Sequence, residues 1–280
     1  MLKVRVIPTL LWKNVTLVKG VSFNSWRRIG TVIPAVKVYN TREVDELILL
    51  DIATTLEGRT PDYESIYEIS ADCFVPFTVG GGIRTVEHIR SLLRAGADKI
   101  TINTAAYENP ELITEAAERF GSQCIVVSID ARQIADATFE CYSHSGTRPT
   151  GKELGTWARK VEALGAGEIL ITSIERDGTM KGYDLEMIKT VTSNVSIPVI
   201  ASGGAGNYRH LLEAIQTGAS AVAAASIFHF TQQTPLEAKK YLAEHGIPVR
   251  NVNIKAPHCE ATPKQGPSHS GIAPALRGSQ

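Results

Sequence analysis

"VPFTVGGGIRTVEHIRSLLRAGADKITINTAAY", residues 75–107, decides the fold once it is laid over "IPVIASGGAGNYRHLLEAIQTGASAVAAASIFH", residues 197–229. Pro76 falls on Pro198, Gly81 on Gly203, Gly82 on Gly204, Gly96 on Gly218 and Thr104 on Ser226, each pair 122 positions apart (198 − 76). Glu46 and Glu168 keep the same spacing. Self-similarity at a fixed long period marks a repeated structural unit. Inside each copy a short β-rich run leads through a Gly-rich turn into apolar residues at helical spacing, as in a βαβ unit.

Outward from this repeat, eight short runs alternate with helical patterns: "VRVIPTL", "ELILLDI", "VPFTV", "DKITIN", "CIVVSID", "EILITSI", "IPVIAS" and "AVAAAS". The runs are nearly continuously apolar, as in a parallel sheet buried on both faces. Residues 1–250 are therefore expected to form an α/β (β/α)8 barrel of two repeated half-barrels, with a doubly wound open sheet as the alternative. Residues 251–280, "NVNIKAPHCEATPKQGPSHSGIAPALRGSQ", lack periodic hydrophobicity and read as a disordered tail.

The bulk composition excludes several classes. The chain of 280 residues carries 29 basic and 29 acidic side chains, so no basic field points to nucleic acid or a membrane surface. No apolar run approaches the roughly 20 residues of a membrane helix, and no signal-peptide pattern opens the chain. Cys73, Cys124, Cys141 and Cys259 lack metal-ligand spacing and suit reduced thiols in a cytoplasmic protein. Neither a metal nor a cofactor is expected.

Each half places a Gly-rich turn after a strand, "GGGIR" at 80–84 and "SGGAG" at 202–206, and a small pair one βα unit later: Asn103 with Thr104, and Ala225 with Ser226. Glycine lets the backbone approach a ligand and leaves N–H groups free, which suits a phosphate. In barrels such loops lie at the catalytic face. One Gly-Gly turn reads equally as a tight connection. Two at the repeat offset, each with its hydroxyl, point to phosphate cradles around Gly81, Gly82, Gly203 and Gly204. They imply a ligand with a phosphate at each end, or two phosphorylated ligands.

The first and fifth strands break the symmetry. "RVIPTLLWKN" (5–14) and "CIVVSIDARQ" (124–133) have one shape, but the first ends on Leu11 and the second on Asp130. These positions are 119 apart (130 − 11), a difference that the following loops absorb with three residues.

"TVGGGIRT", "AGADKITINTAA", "RFGSQCIVVSIDAR", "LGAGEILITSIERDGTMKGYDLE" and "IPVIASGGAG" together resemble the cyclase subunit of imidazole glycerol phosphate synthase, over about residues 1 to 250. The resemblance implies a barrel that takes ammonia from a glutaminase subunit docked at its floor. At the mouth that family cleaves and cyclises a doubly phosphorylated ribulosyl nucleotide. It implies two catalytic aspartates, of which Asp130 matches one and Leu11 occupies the place of the other. A leucine cannot move a proton, and nearby Lys13 is no substitute for a carboxylate. Lys19 matches the family's "VKG", and Asp177 a loop aspartate near the substrate. Arg5, Glu46, Lys99 and Glu168 match a charged ring at the floor that would gate ammonia. Asp98 and Gln123 match positions near the glutaminase. The loop "VSFNSWRRIGTVIPAVKVYNTREVDELILLDI" resembles a second branch, in which such barrels serve surface-polysaccharide sugar modification with an amidotransferase.

Three functions follow as expectations: a barrel that conducts ammonia from a glutaminase to a sugar amidotransferase, a working cyclase of histidine biosynthesis, or a non-catalytic barrel for a phosphorylated small molecule. Leu11 separates the first from the second, and the charged floor separates the first from the third. Asp51 is a further mouth carboxylate, and His229 reads as a structural histidine.

Overall fold

The computed structural model describes residues 3–250. The expected tail, residues 251–280, lies outside the described residues.

Twelve strands form one sheet: β1 (Arg5–Lys13), β2 (Thr16–Val21), β3 (Asn24–Gly30), β4 (Leu47–Asp51), β5 (Phe77–Gly80), β6 (Lys99–Ile102), β7 (Ile125–Ala135), β8 (Thr138–Ser143), β9 (Arg148–Glu153), β10 (Glu168–Ser173), β11 (Val199–Ser202) and β12 (Ala221–Ala224). Eight of them close a parallel ring in the order β1-β4-β5-β6-β7-β10-β11-β12, with β12 paired back onto β1. This is the (β/α)8 barrel.

Alternation along β1 shows how the sequence builds it. Val6, Leu10 and Trp12 face outward into the layer shared with the helices, while Ile7 points into the lumen. Ile7, Ile48, Val126, Leu170, Ile200, Ala221 and Ala223 form that inner cluster. Each fully buried isoleucine or leucine contributes about 1.5–3 kcal/mol through burial. The helices sit in the outer layer; several start on side-chain caps, and two pairs of these caps repeat. Asp62 accepts from the Ser65 amide and Asp184 from Met187, while Thr85 accepts from His88 and Asn207 from His210. Every one of these pairs keeps the offset of 122 (184 − 62).

The register settles which positions correspond at the mouth. Leu11 lies beside Leu50, and Asp130 beside Thr172, 122 positions after Leu50 (172 − 50). On the opposite flank Pro8 lies beside Ala224 and Val127 beside Ile102. Leu11 is thus the structural twin of Asp130.

Two readings from the sequence need correction. The first and fifth barrel strands do not end at Leu11 and Asp130. They run on to Lys13 and Ala135, where each turns back into an antiparallel hairpin, β2–β3 after β1 and β8–β9 after β7. The tight turn after β1 carries Asn14 and Val15 at φ 46° and 58°. From Leu11 to the next helix, which starts at Val32, is 21 positions, and from Asp130 to Leu154 is 24, so the second hairpin arm holds the three extra residues.

The chain closes at the floor. The Val4 amide donates to the Pro248 carbonyl at 2.7 Å, and the last helix, Pro235–Glu244, packs against β1. Its Lys239 is fully buried and donates to the Glu43 carbonyl at 2.6 Å and to Asp45 at 3.1 Å. The other carboxylate oxygen of Asp45 accepts from the Val6 amide at 2.9 Å. One buried ion pair thus ties the last helix to the strand residue next to Arg5 and the loop residue next to Glu46. No helix among the described residues is long and apolar enough to cross a membrane.

Candidate functional site

At the floor, the strand starts bring Arg5, Glu46, Lys99 and Glu168 together in a closed ring of alternating charge. Arg5 reaches Glu46 at 2.7 Å and Glu168 at 2.9 Å; Lys99 reaches both carboxylates at 3.1 Å. The Thr78 hydroxyl donates to Glu46 at 2.8 Å. Glu46 is buried, and three donors, Arg5, Lys99 and Thr78, surround its carboxylate and offset its desolvation. Directly above the ring sits the apolar inner cluster.

Asp98 and Gln123 stand outside the ring. Asp98 accepts from the Phe77 amide at 2.8 Å, which anchors the start of β5, and Gln123 is exposed.

The other end of the barrel opens into a cavity enclosing about 1140 Å³, counting the part open to solvent. Its walls include Leu11, Lys19, Gly81, Gly82, Asn103, Thr104, Asp130, Asp177, Gly203, Gly204, Ala225 and Ser226. Every residue read as catalytic or phosphate-binding therefore lines one cavity. Asp51 lines it too, but its carboxylate caps the turn after β4 by accepting from Ala53 and Thr54 amides at 2.9 and 3.0 Å. Neither Lys13 nor His229 is among the lining residues. Burial, helped by the charge of Lys19, lowers the His229 imidazole to about 4, so it is neutral near pH 7.

Asp130 is buried at the mouth and, among the described residues, forms no ion pair and accepts a side-chain hydrogen bond from the Asn103 amide alone, at 3.2 Å. Burial, with the charge of Asp177 adding to it, pushes its carboxyl up to about 7. Asp177 itself is matched by Lys19, whose ammonium lies 2.6 Å away and is buried with it. Across from Asp130, where a second carboxylate would complete a proton-transfer pair, stands the Leu11 side chain beside Leu50.

The glycines owe their identity to packing. Gly81 adopts φ +114°, and a Cβ there would lie 2.3 Å from the Asp51 carbonyl oxygen; at Gly204, also φ +114°, it would lie 2.2 Å from that of Gly182. Both turns must be glycine to fold, whatever they bind. The polar groups around them differ. In the first cradle the Gly82 amide donates to the Thr55 hydroxyl at 3.2 Å. The Thr104 hydroxyl accepts from the His144 amide at 2.9 Å and donates to the Asn103 side-chain oxygen at 3.3 Å. In the second cradle the Ser226 hydroxyl is buried and has no hydrogen-bond partner among the described residues.

Both hairpins lean over the mouth toward the opposite half. Ser22, at the tip of β2–β3, donates through its amide to the Asp177 carbonyl at 2.8 Å and through its hydroxyl to that of Glu175 at 2.9 Å. Ser145, between β8 and β9, donates to the Ile52 carbonyl at 3.1 Å. The Phe23 ring abuts Gly146, so the tips meet. Phe23, Trp26, Thr55 and His144 were not found from sequence. The turn residues "SHSG" were the one available signal, and they do not say where the turn lands.

A family model described as "Histidine biosynthesis protein" matches residues 5–234, from the first strand of the ring to the start of the last helix.

Proposed function

The chain belongs to the histidine biosynthesis protein family, and on that premise we propose that it is an ammonia-conducting barrel. It would receive ammonia from a glutaminase subunit at the floor and deliver it at the mouth for amidation, the acceptor being a nucleotide sugar handled by a partner amidotransferase in the cytoplasm. The observation that carries this reading is the pairing of an intact ionic ring at the floor with Leu11 at the mouth. The ring is an entrance whose charges compensate one another. Above it, an apolar lumen admits neutral ammonia far more readily than ammonium, because an unpaired charge is costly to bury. Beyond that cluster, the hydroxyls of Thr9 and Thr101, without a partner among the described residues, line the cavity and suit a small polar guest.

Leu11 argues against the family's cyclase chemistry, which needs two facing proton-transfer groups. The second reading, a cyclase, is favoured by Asp130 alone: a carboxyl poised at about 7 is suited to general acid–base work at neutral pH.

The test is reconstitution with a glutaminase and an amidotransferase. Lys99→Ala leaves Glu46 and Glu168 facing Arg5 alone. It should impair glutamine-dependent transfer much more than transfer from free ammonium salt, since only the former uses the floor. Equal losses in both assays would make the ring a structural ion cluster. Failure of any glutaminase to bind would leave the third reading, a non-catalytic barrel for a phosphorylated ligand.

A further inference from the structure

We infer that the buried Lys239–Asp45 ion pair is a positioning device for the floor ring: acting from the last helix, it fixes the contact between Arg5 and Glu46. The inference rests on the reading of the ring as an ammonia entrance. It adds two positioning residues that lie outside the ring.

Two observations carry it. The first is the geometry. Val6 follows Arg5 in β1, and Asp45 precedes Glu46 at the entry to β4. One Asp45 oxygen accepts from the Val6 amide at 2.9 Å and the other from Lys239 at 3.1 Å. A single carboxylate therefore holds the backbone beside each partner of the Arg5–Glu46 bond, which measures 2.7 Å. Lys239 also donates to the Glu43 carbonyl at 2.6 Å, so the loop entering β4 is tied to the last helix at two points. The Lys239 and Asp45 side chains are only 0% and 1% exposed. A long guanidinium stem keeps one geometry with its carboxylate only when the backbones that carry both are held.

The second observation comes from the repeat. "NPELITEAAERFG" (109–121) and "TPLEAKKYLAEHG" (234–246) have one length and lay Pro110 on Pro235, Gly121 on Gly246 and Thr114 on Lys239, each 125 apart (239 − 114). The Thr114 hydroxyl donates to the Leu164 carbonyl at 3.0 Å, tying its helix to the loop that enters β10. Position 45 falls on Gly167, 122 further on, which has no side chain to carry a charge. A neutral hydrogen bond thus closes the matched joint, and Cys124 stands there in place of Arg5 (124 − 5 = 119). Folding does not require the ion pair at this kind of joint. A buried pair also stabilises little beyond what apolar packing would. It occurs at the joint that carries the ring arginine, where geometry has to be controlled.

The test is the double variant Lys239→Met with Asp45→Asn, which removes both charges without stranding either and keeps an acceptor for the Val6 amide. Should it not fold, Lys239→Thr with Asp45→Gly, the residues of the matched joint, takes its place. In the full chain alone, hydrogen exchange at the Arg5 guanidinium, read by NMR, should quicken about tenfold, while the backbone amides of β11 keep their protection. Reconstituted with glutaminase and amidotransferase, the variant should lose glutamine-dependent transfer by about tenfold, with transfer from ammonium salt unchanged. Unaltered exchange at Arg5, or equal losses in the two transfer assays, would overturn the inference. If Lys99→Ala gives the selective loss and this variant does not, the inference alone falls; if neither gives it, the entrance reading falls as well.

Discussion

The two halves of the mouth share a backbone and differ in what that backbone carries. At matched positions the second half carries Asp130 and Thr172 where the first carries Leu11 and Leu50, while both halves keep polar side chains on the cavity, Asp177 and Ser226 in the second and Thr9, Thr101 and Asn103 in the first. The glycines are alike in both, because close packing of neighbouring loops demands them. A repeat therefore preserves what folding needs at both copies, while the side chains that face the cavity diverge between them. In this family member, the retained glycines report architecture.

The contrast is most exposed to a test at Leu11. With ammonium salt and the doubly phosphorylated ribulosyl nucleotide, the chain should turn over about 10²- to 10⁴-fold more slowly than a cyclase with both carboxylates, the usual weight of one acid–base group. Leu11→Asp should recover part of that loss, and an unmodified rate comparable to a two-aspartate cyclase would erase the distinction between the halves.

On the polar side, Lys19→Met removes the cation that pairs with Asp177. Two buried carboxylates would then face one another, and stability should fall by about 3–5 kcal/mol in denaturant titration at pH 7.5, as when one partner of a buried ion pair is lost. A loss below 1 kcal/mol would mean that water reaches the pair in solution.

Asp130 gives a smaller effect with a defined pH dependence. Its folded carboxyl titrates near 7, above the ordinary value of 3.8, so the folded state holds a proton that the unfolded chain releases between these limits. Stability therefore falls as pH rises through this window. Asp130→Asn should raise the melting temperature by about 3–6 °C at pH 8, and the gain should shrink as pH drops and vanish below about pH 4. A gain independent of pH would show that Asp130 carries no strained charge.

The smallest difference lies in the hairpins. Val15 is a β-branched residue at φ 58°, where an L-residue is strained by about 1–2 kcal/mol. Val15→Gly should stabilise by about 1 kcal/mol, since the turn type favours glycine there. Destabilisation would mean that the exposed Val15 side chain has a contact in solution.

The barrel was legible because its signals are local and periodic: eight apolar runs alternating with helical patterns, and a repeat that keeps one spacing through the glycines and glutamates. The floor ring was legible only through resemblance, since a single charged residue at a strand start carries no message by itself. The hairpins were missed for a physical reason. β3, "NSWRRIG", buries none of its residues fully, so it shows none of the in-out alternation that marks a strand. Its formation depends on pairing with β2, not on its own composition. The link between the first cradle and the second hairpin was equally hidden. It depends on a contact between Thr104 and His144, 40 positions apart, brought together by where a hairpin happens to land.

The pairing of β1 with β12, and of Val4 with Pro248, also sets the order in which this molecule can be made. As the chain leaves the ribosome, β1 to β6 can assemble early, but one edge of β1 has no partner until residues 221–224 appear. Through most of synthesis an open, apolar half-barrel presents two unpaired strand edges, the form most given to pairing with a neighbour. Closure joins the most distant of the described segments, the kind of non-local pairing that slows folding. Chains arrested before β12 should accumulate as aggregates or as paired halves, and chaperone demand should be greatest at that point.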